Sequence, residues 1–271
     1  MKSLLGCIVL ILALTSCKTP TATEPAEAKS LLGGPVAMRG RFTGIATIVG
    51  VDRGLLESWI PAELLPLVHL DYPDQNNHPI IILSGTQNNV AAQMVGRFMV
   101  LPPLRQYKEV MIMIPFLKLN DGSEPGHVWT FARIYVDNQR VVDLSTRLNK
   151  SPKEFALFKS PNDVTDVSQS DVTVLSLKQT STQLPAFTLQ EESLIREMLA
   201  QIKVEMDDGE LVRFDFNLIK NAPVLTPKEI ITSLYLGSKL AKQDQPITLQ
   251  SFAGQKPLSF QFEGPWLKSP R

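Results

Sequence analysis

The chain has 271 residues, and its 27 Lys and Arg balance its 27 Asp and Glu at zero formal charge. With 44% hydrophobic and 20% charged residues, this composition argues against a disordered chain and against a nucleic-acid binder held by bulk positive charge. Twenty prolines and fifteen glycines imply frequent turns and favour a strand-rich fold over a helix bundle. In chain order, Met1-Lys2-Ser3 supplies a positive charge, Leu4–Leu14 is an almost unbroken apolar run, and Leu14-Thr15-Ser16-Cys17 follows. A charged start, a short apolar core and small residues before a cut site describe a secretory signal over 1–16, too short to span a bilayer permanently. Its last four residues resemble the bacterial lipobox, in which the cysteine is lipidated. The expectation is therefore a protein anchored to the cell envelope through Cys17, facing the periplasm or the exterior. Cys7 would leave with the signal, so the mature chain would keep one cysteine and no internal disulfide. Losing Lys2 leaves 26 basic residues against 27 acidic ones, a net charge of −1.

Residues 17–34, rich in Thr, Pro and Ala, read as a tether, and one domain over 35–271 is expected to follow. Phe42–Val51 is β-rich. Leu55, Leu56, Trp59 and Ile60 recur near helical spacing, which predicts a helix over Gly54–Leu65 with Asp52 as its cap and Pro61 ending or kinking it. Ile80–Leu83 reads as a buried strand, Gly85–Gln106 as a long connection, and Glu109–Leu117 and Val128–Val136 as strands joined across the turn-rich Asn120–Gly126. Trp129, Phe131 and Tyr135 are spaced to share one aromatic face of the second strand. A helix is predicted over Thr188–Ile202 from Leu189, Leu194, Ile195, Met198 and Leu199. Ile202–Met206 and Leu211–Phe216 flank Asp207-Asp208-Gly209-Glu210, a hairpin signal. Lys228–Leu240 reads as a helix with Pro227 at its edge. The sum is an α+β fold dominated by an antiparallel sheet, closed into a barrel-like domain with a few helices.

Common catalytic motifs are missing: there is no Gly-rich phosphate loop, no Gly-x-Ser-x-Gly and no His-Glu-x-x-His. The three histidines, His69, His78 and His127, are scattered, and His78 and His127 stand beside turn residues where solvation is expected. No metal site and no cofactor is predicted.

One constellation carries chemistry. Tyr107-Lys108-Glu109 leads into Val110-Met111-Ile112-Met113-Ile114-Pro115. Tyr135-Val136-Asp137-Asn138 comes later, and Pro152-Lys153 follows that at a fixed distance. This pattern resembles the acetoacetate decarboxylase superfamily, with its aromatic-x-Glu, a Pro six residues on, a Tyr-aliphatic-Asp-Asn strand and a Pro-Lys-Lys segment. Val51-Asp52 with Ile60-Pro61-Ala62-Glu63-Leu64, and the Asp-Gly hairpin, extend the likeness over most of 38–265. The resemblance implies a small carbonyl or carboxylate ligand and, for an enzyme, a carboxy-lyase working through an imine on lysine. A lysine nucleophile needs a neutral amine, which an apolar pocket or a neighbouring cation supplies. Carried over by motif position, Lys153 is the imine-forming lysine, Glu109 a pocket carboxylate, Arg41 a pocket arginine and Ser84 the residue in place of a second pocket glutamate. Glu154 stands where the family has a second lysine, and Lys150 is its substitute only if the loop folds back. The alternative reading is a non-catalytic envelope lipoprotein that binds a small ligand with the same fold. A third is an interaction scaffold using Asp121–Gly126 and Gly85–Gln106 as contact loops. An oligomer is compatible with all three.

Overall fold

The structure, a computed structural model, describes residues 36–57, 59–61, 64–66, 76–94, 104–120, 126–148, 153–160, 164–183, 188–189, 193, 197, 202–207, 210–218, 228–234, 247–248 and 258–268. The chain separates into Met1–Gly34 and Pro35–Arg271, and the described residues all belong to the second unit. The signal, Cys17 and the tether lie outside them, as do His69, Lys150 and Pro152.

The elements are β1 (Val36–Asp52), α1 (Arg53–Glu57), β2 (Leu64–Pro66), β3 (Asn77–Met94), β4 (Leu104–Leu119), β5 (Val128–Val136), α2 (Gln139–Leu148), β6 (Lys153–Phe155), β7 (Leu157–Lys159), β8 (Val164–Gln169), β9 (Val172–Gln183), β10 (Ile202–Asp207), β11 (Glu210–Leu218), β12 (Lys228–Leu234), β13 (Ile247–Thr248) and β14 (Leu258–Lys268). Two sheets hold them. The larger runs β2-β4-β3-β1-β14-β11-β10-β5-β6, with β4 also paired to β5, and the smaller runs β13-β12-β9-β8-β7. The mostly antiparallel α+β class expected from sequence is the one found. The closed barrel is not: among the described residues β10 meets β5 over two residue pairs, Ile202 with Val128 and Lys203 with Trp129, and in parallel. The larger sheet is mixed, and so short a seam lacks a continuous ladder.

β1, β3 and β4 form the spine, since their Val, Ile and Met runs are buried on both faces. One face carries Val49, Val51, Ile80, Ile82, Val110, Ile112, Ile114 and Tyr135, and this cluster continues into Val167, Leu175, Leu177 and Ile230 of the smaller sheet. The other face carries Phe42, Ala46, Ile81, Leu83, Tyr107, Met111, Met113, Trp129, Ile134 and Val136, with Val141 of α2 against it. Alternation along a strand makes this division strict, so each side chain's parity decides which cluster it joins.

A register shift between Ile112 and Met113 opposite β5 alters that parity. It leaves Phe131 with Trp129, edge to face at 4.9 Å, but turns Tyr135 into the other cluster. The single aromatic face expected of Trp129, Phe131 and Tyr135 is therefore split by a bulge.

The first predicted helix shortens to Arg53–Glu57; Trp59 N–H then bonds Leu56 C=O, and the chain re-enters a sheet at Leu64. Lys228–Leu234 is strand rather than helix, because the β-branched Ile230-Ile231-Thr232 pairs along β9. The connection expected over Gly85–Gln106 is mostly strand, with β3 running to Met94 and β4 starting at Leu104. The hairpin at Asp207–Glu210 is present, those two residues being paired. Of the helix expected after Thr188, the described Leu189, Ser193 and Glu197 are helical and exposed, Leu189 at 87%, so Leu189 does not belong to a buried face. α2 was not anticipated; Asn138 Oδ1 accepts the Arg140 N–H at its start, an N-cap contact. Among the described residues no helix is long and apolar enough to cross a membrane.

Candidate active site

Glu109 sits on β4, directly opposite Gly85 of β3 and Val136 of β5. Its residue is 0% exposed within an apolar cluster, a position that demands compensating partners for a carboxylate. Two partners are present. Lys153 Nζ donates to Glu109 Oε1 at 2.5 Å, and Gln87 Nε2 donates to Glu109 Oε2 at 2.7 Å. Both are charge-assisted contacts, the stronger kind of hydrogen bond. The Lys153 side chain is 12% exposed, so it is the member of the pair that touches solvent. Its ammonium also lies 5.7 Å from the centre of the Tyr107 ring, within cation–π range.

Strand pairing assembles this group. Tyr107 faces Gln87 across β4 and β3, Glu109 faces Val136, and Lys153 pairs with Ile134 in the parallel β5–β6 ladder. Tyr107, Val136 and Ile134 all belong to the cluster that packs against α2. Phe42, opposite Gln87 on β1, adds an aromatic wall. Its ring tip lies over Gly44 and Gly85, where a Cβ on Gly85 would come within 2.8 Å of Phe42 Cζ. Burial, then the Glu109 and Asp137 charges, push the Tyr107 hydroxyl well above its ordinary pKa, so it stays protonated.

Of the residues predicted for the site, the structure brings Lys153 and Glu109 together and separates Arg41 and Ser84 from them. Ser84 is buried, but its cross-strand neighbours are Ile45 and Val110, on the face covered by the smaller sheet. Arg41 neighbours Phe42 in sequence and therefore projects to the opposite face, where it is exposed. The β3 residue that reaches Glu109 is Gln87, three positions past Ser84. Parity was the available signal: a β3 residue facing Glu109 must share a face with Gly85.

Glu154, beside Lys153 in sequence, faces away from the pair. It pairs with Tyr135 in the ladder, on the far face, and contacts Arg133 Nε at 3.5 Å and Gln169 Nε2 at 2.8 Å. Tyr135 is pushed up to about 12 by burial and by the Glu154 charge, with Arg133 opposing. Glu154 is thus no competitor for Lys153. His78, expected in solvent, is 1% exposed and bonds Pro115 C=O through Nε2 at 2.7 Å. His127 is exposed as expected and lies 3.8 Å from Glu197.

No family model and no curated protein matches the chain. Solved structures do. An acetoacetate decarboxylase superposes with a TM-score of 0.50 at 13% identity, covering 88% of this chain and 90% of that one. The enduracididine biosynthesis enzyme MppR, with a buffer molecule bound, gives 0.50 at 12% identity over 96% and 97%. MppR complexed with the condensation product of pyruvate and imidazole 4-carboxaldehyde gives 0.50 at 13% identity over 94% and 97%. The chain has the fold of acetoacetate decarboxylase and acetoacetate decarboxylase-like enzymes.

Proposed function

We propose that the protein is a lipid-anchored envelope protein that binds a small carbonyl acid at Lys153 and acts on it as a carboxy-lyase through a lysine imine. The observation that carries this is the Lys153–Glu109 contact at 2.5 Å, an ammonium and a carboxylate set together in an otherwise apolar cluster. Lys153 passes a proton to Glu109 Oε1 across that contact, which frees the nitrogen lone pair. The amine attacks the carbonyl carbon. The resulting carbinolamine loses water, its hydroxyl leaving with the proton returned by Glu109, and an iminium remains. In a β-keto acid the bond to the carboxylate then breaks, CO₂ departs, and the electron pair moves onto the nitrogen as an enamine. A proton taken up from solvent adds at the enamine carbon, and hydrolysis of the iminium by water releases the ketone and restores the amine. Glu109 is the acid and base of this scheme, and the apolar walls keep both transfers out of bulk water.

The test is to incubate the full chain, purified in detergent, with acetoacetate and reduce it with borohydride. A mass added on Lys153, and none in Lys153→Ala, is expected. No adduct, while a control imine-forming enzyme traps normally, refutes the enzyme reading. A second reading, a non-catalytic ligand-binding lipoprotein, is favoured by one observation: the amine is already paired with Glu109 rather than beside a second described cation. Binding of acetoacetate without an adduct is its signature. The anchor rests on the lipobox-like Leu14-Thr15-Ser16-Cys17. A clickable fatty acid should label the protein in bacteria and fail to label Cys17→Ser; equal labelling of both rejects it.

A further inference from the structure

Gln87 has a second polar atom that the site leaves unused. The residue is buried at 2% exposure, its Nε2 is committed to Glu109 Oε2 at 2.7 Å, and its Oε1 has no hydrogen-bond partner among the described residues. The amide cannot turn over to relieve this, because that would set Oε1 against the Glu109 carboxylate, acceptor against acceptor. The result is a carbonyl oxygen fixed in place on the same amide whose nitrogen holds Glu109. A buried acceptor without a donor is costly, and a ligand that supplies a donor recovers the loss. A ligand that presents a methyl group there leaves it unrecovered.

We infer that Gln87 is the specificity-determining residue of this site, and that its unpartnered Oε1 selects carbonyl acids carrying a hydroxyl group near the carbonyl. The inference rests on reading the Lys153–Glu109 pair as a carbonyl-binding site. Lys153 takes the carbonyl carbon, Glu109 moves the proton, and Gln87 accepts the hydroxyl hydrogen. Sites built to hydrogen-bond a substrate hydroxyl discriminate strongly against the analogue lacking it, because their own polar group is then stranded.

Hydroxypyruvate and 2-oxobutanoate test this, as they differ only by a hydroxyl in place of a methyl. Binding of each to the full chain in detergent is measured by calorimetric titration, and adduct formation on Lys153 is followed separately by borohydride reduction. Hydroxypyruvate is expected to bind about tenfold more tightly. In Gln87→Met, which keeps the length of the side chain and removes its acceptor, the ratio should fall to about one. Loss of the Glu109 contact in that variant weakens both ligands alike, so the ratio isolates Oε1. Equal affinities in the unmodified protein, a preference that survives Gln87→Met, or no binding of either acid each overturns the inference. A preference lost in Gln87→Met with no adduct on Lys153 upholds the role of Gln87 and refutes the imine.

Discussion

Replacing Lys153 by Met should destabilise the protein more than replacing Glu109 by Gln, although both changes delete the same 2.5 Å contact. The asymmetry comes from burial. Glu109 is 0% exposed, so removing the ammonium strands a carboxylate among apolar side chains, with Gln87 its one remaining donor among the described residues. Two unit charges about 4 Å apart attract by about 4 kcal/mol at an effective dielectric constant near 20, and breaking a buried pair typically costs about 3–5 kcal/mol. Allowing for the 12% exposure of Lys153, we expect about 3 kcal/mol for Lys153→Met. In Glu109→Gln the freed ammonium swings to water, and the loss is limited to about 1–2 kcal/mol. Lys153→Met combined with Glu109→Leu should recover most of the larger loss, because no buried charge is left over. Urea unfolding of the four proteins at pH 7 measures all three terms. If Glu109→Gln costs as much as Lys153→Met, or if the double variant is no better than Lys153→Met, the buried-pair reasoning is wrong.

Alkaline unfolding should report Tyr135. The unfolded chain loses this proton near pH 10 and the folded chain near 12, so ionisation favours unfolding in that window. The stability contributed is whole below pH 10 and falls by about 1.4 kcal/mol per pH unit up to about pH 12; urea midpoints at pH 9, 10 and 11 should drop more steeply in the unmodified protein than in Tyr135→Phe. Gly85→Ala should cost about 3 kcal/mol by the same assay, because its Cβ would meet the Thr43 carbonyl oxygen at 2.3 Å and Gly44 Cα at 2.6 Å. Gly54→Ala is the control: among the described residues its Cβ meets only Asp52 Oδ1, at 3.3 Å, at the start of α1, and stability should change by less than about 1 kcal/mol.

Local chemistry was the legible part of this sequence. The apolar run after Glu109 and the Tyr135–Asn138 segment fixed β4 and β5, and the Asp-Gly turn fixed the β10–β11 hairpin, since in each case the signal lies within a few residues. Motif position named Glu109 and Lys153, 44 residues apart, and the fold sets them in contact across two ladders. Parity over distance was not legible. Ser84 and Arg41 lie on the other face from Glu109, and motif spacing cannot register a one-residue change of phase. The β5 bulge that moves Tyr135 is equally silent in the sequence. The helix expected over Lys228–Leu240 misled because a short segment holding Ile230, Ile231 and Leu234 suits either element until a partner strand is known.

The short segment bearing Lys153 belongs to both sheets at once. β6 is the last strand of the larger sheet, β7 is the last strand of the smaller one, and Ala156 alone separates them, its N–H bonded to Val136 C=O at 2.9 Å. Lys153 and Glu154, side by side, hold opposite faces of that strap, one on Glu109 and the other on Arg133 and Gln169. The amine is therefore mounted on the joint between two layers rather than within either. Its alignment with the carboxylate is a readout of how the layers seat, and repacking the smaller sheet would shift the Lys153–Glu109 pair as surely as a change beside it.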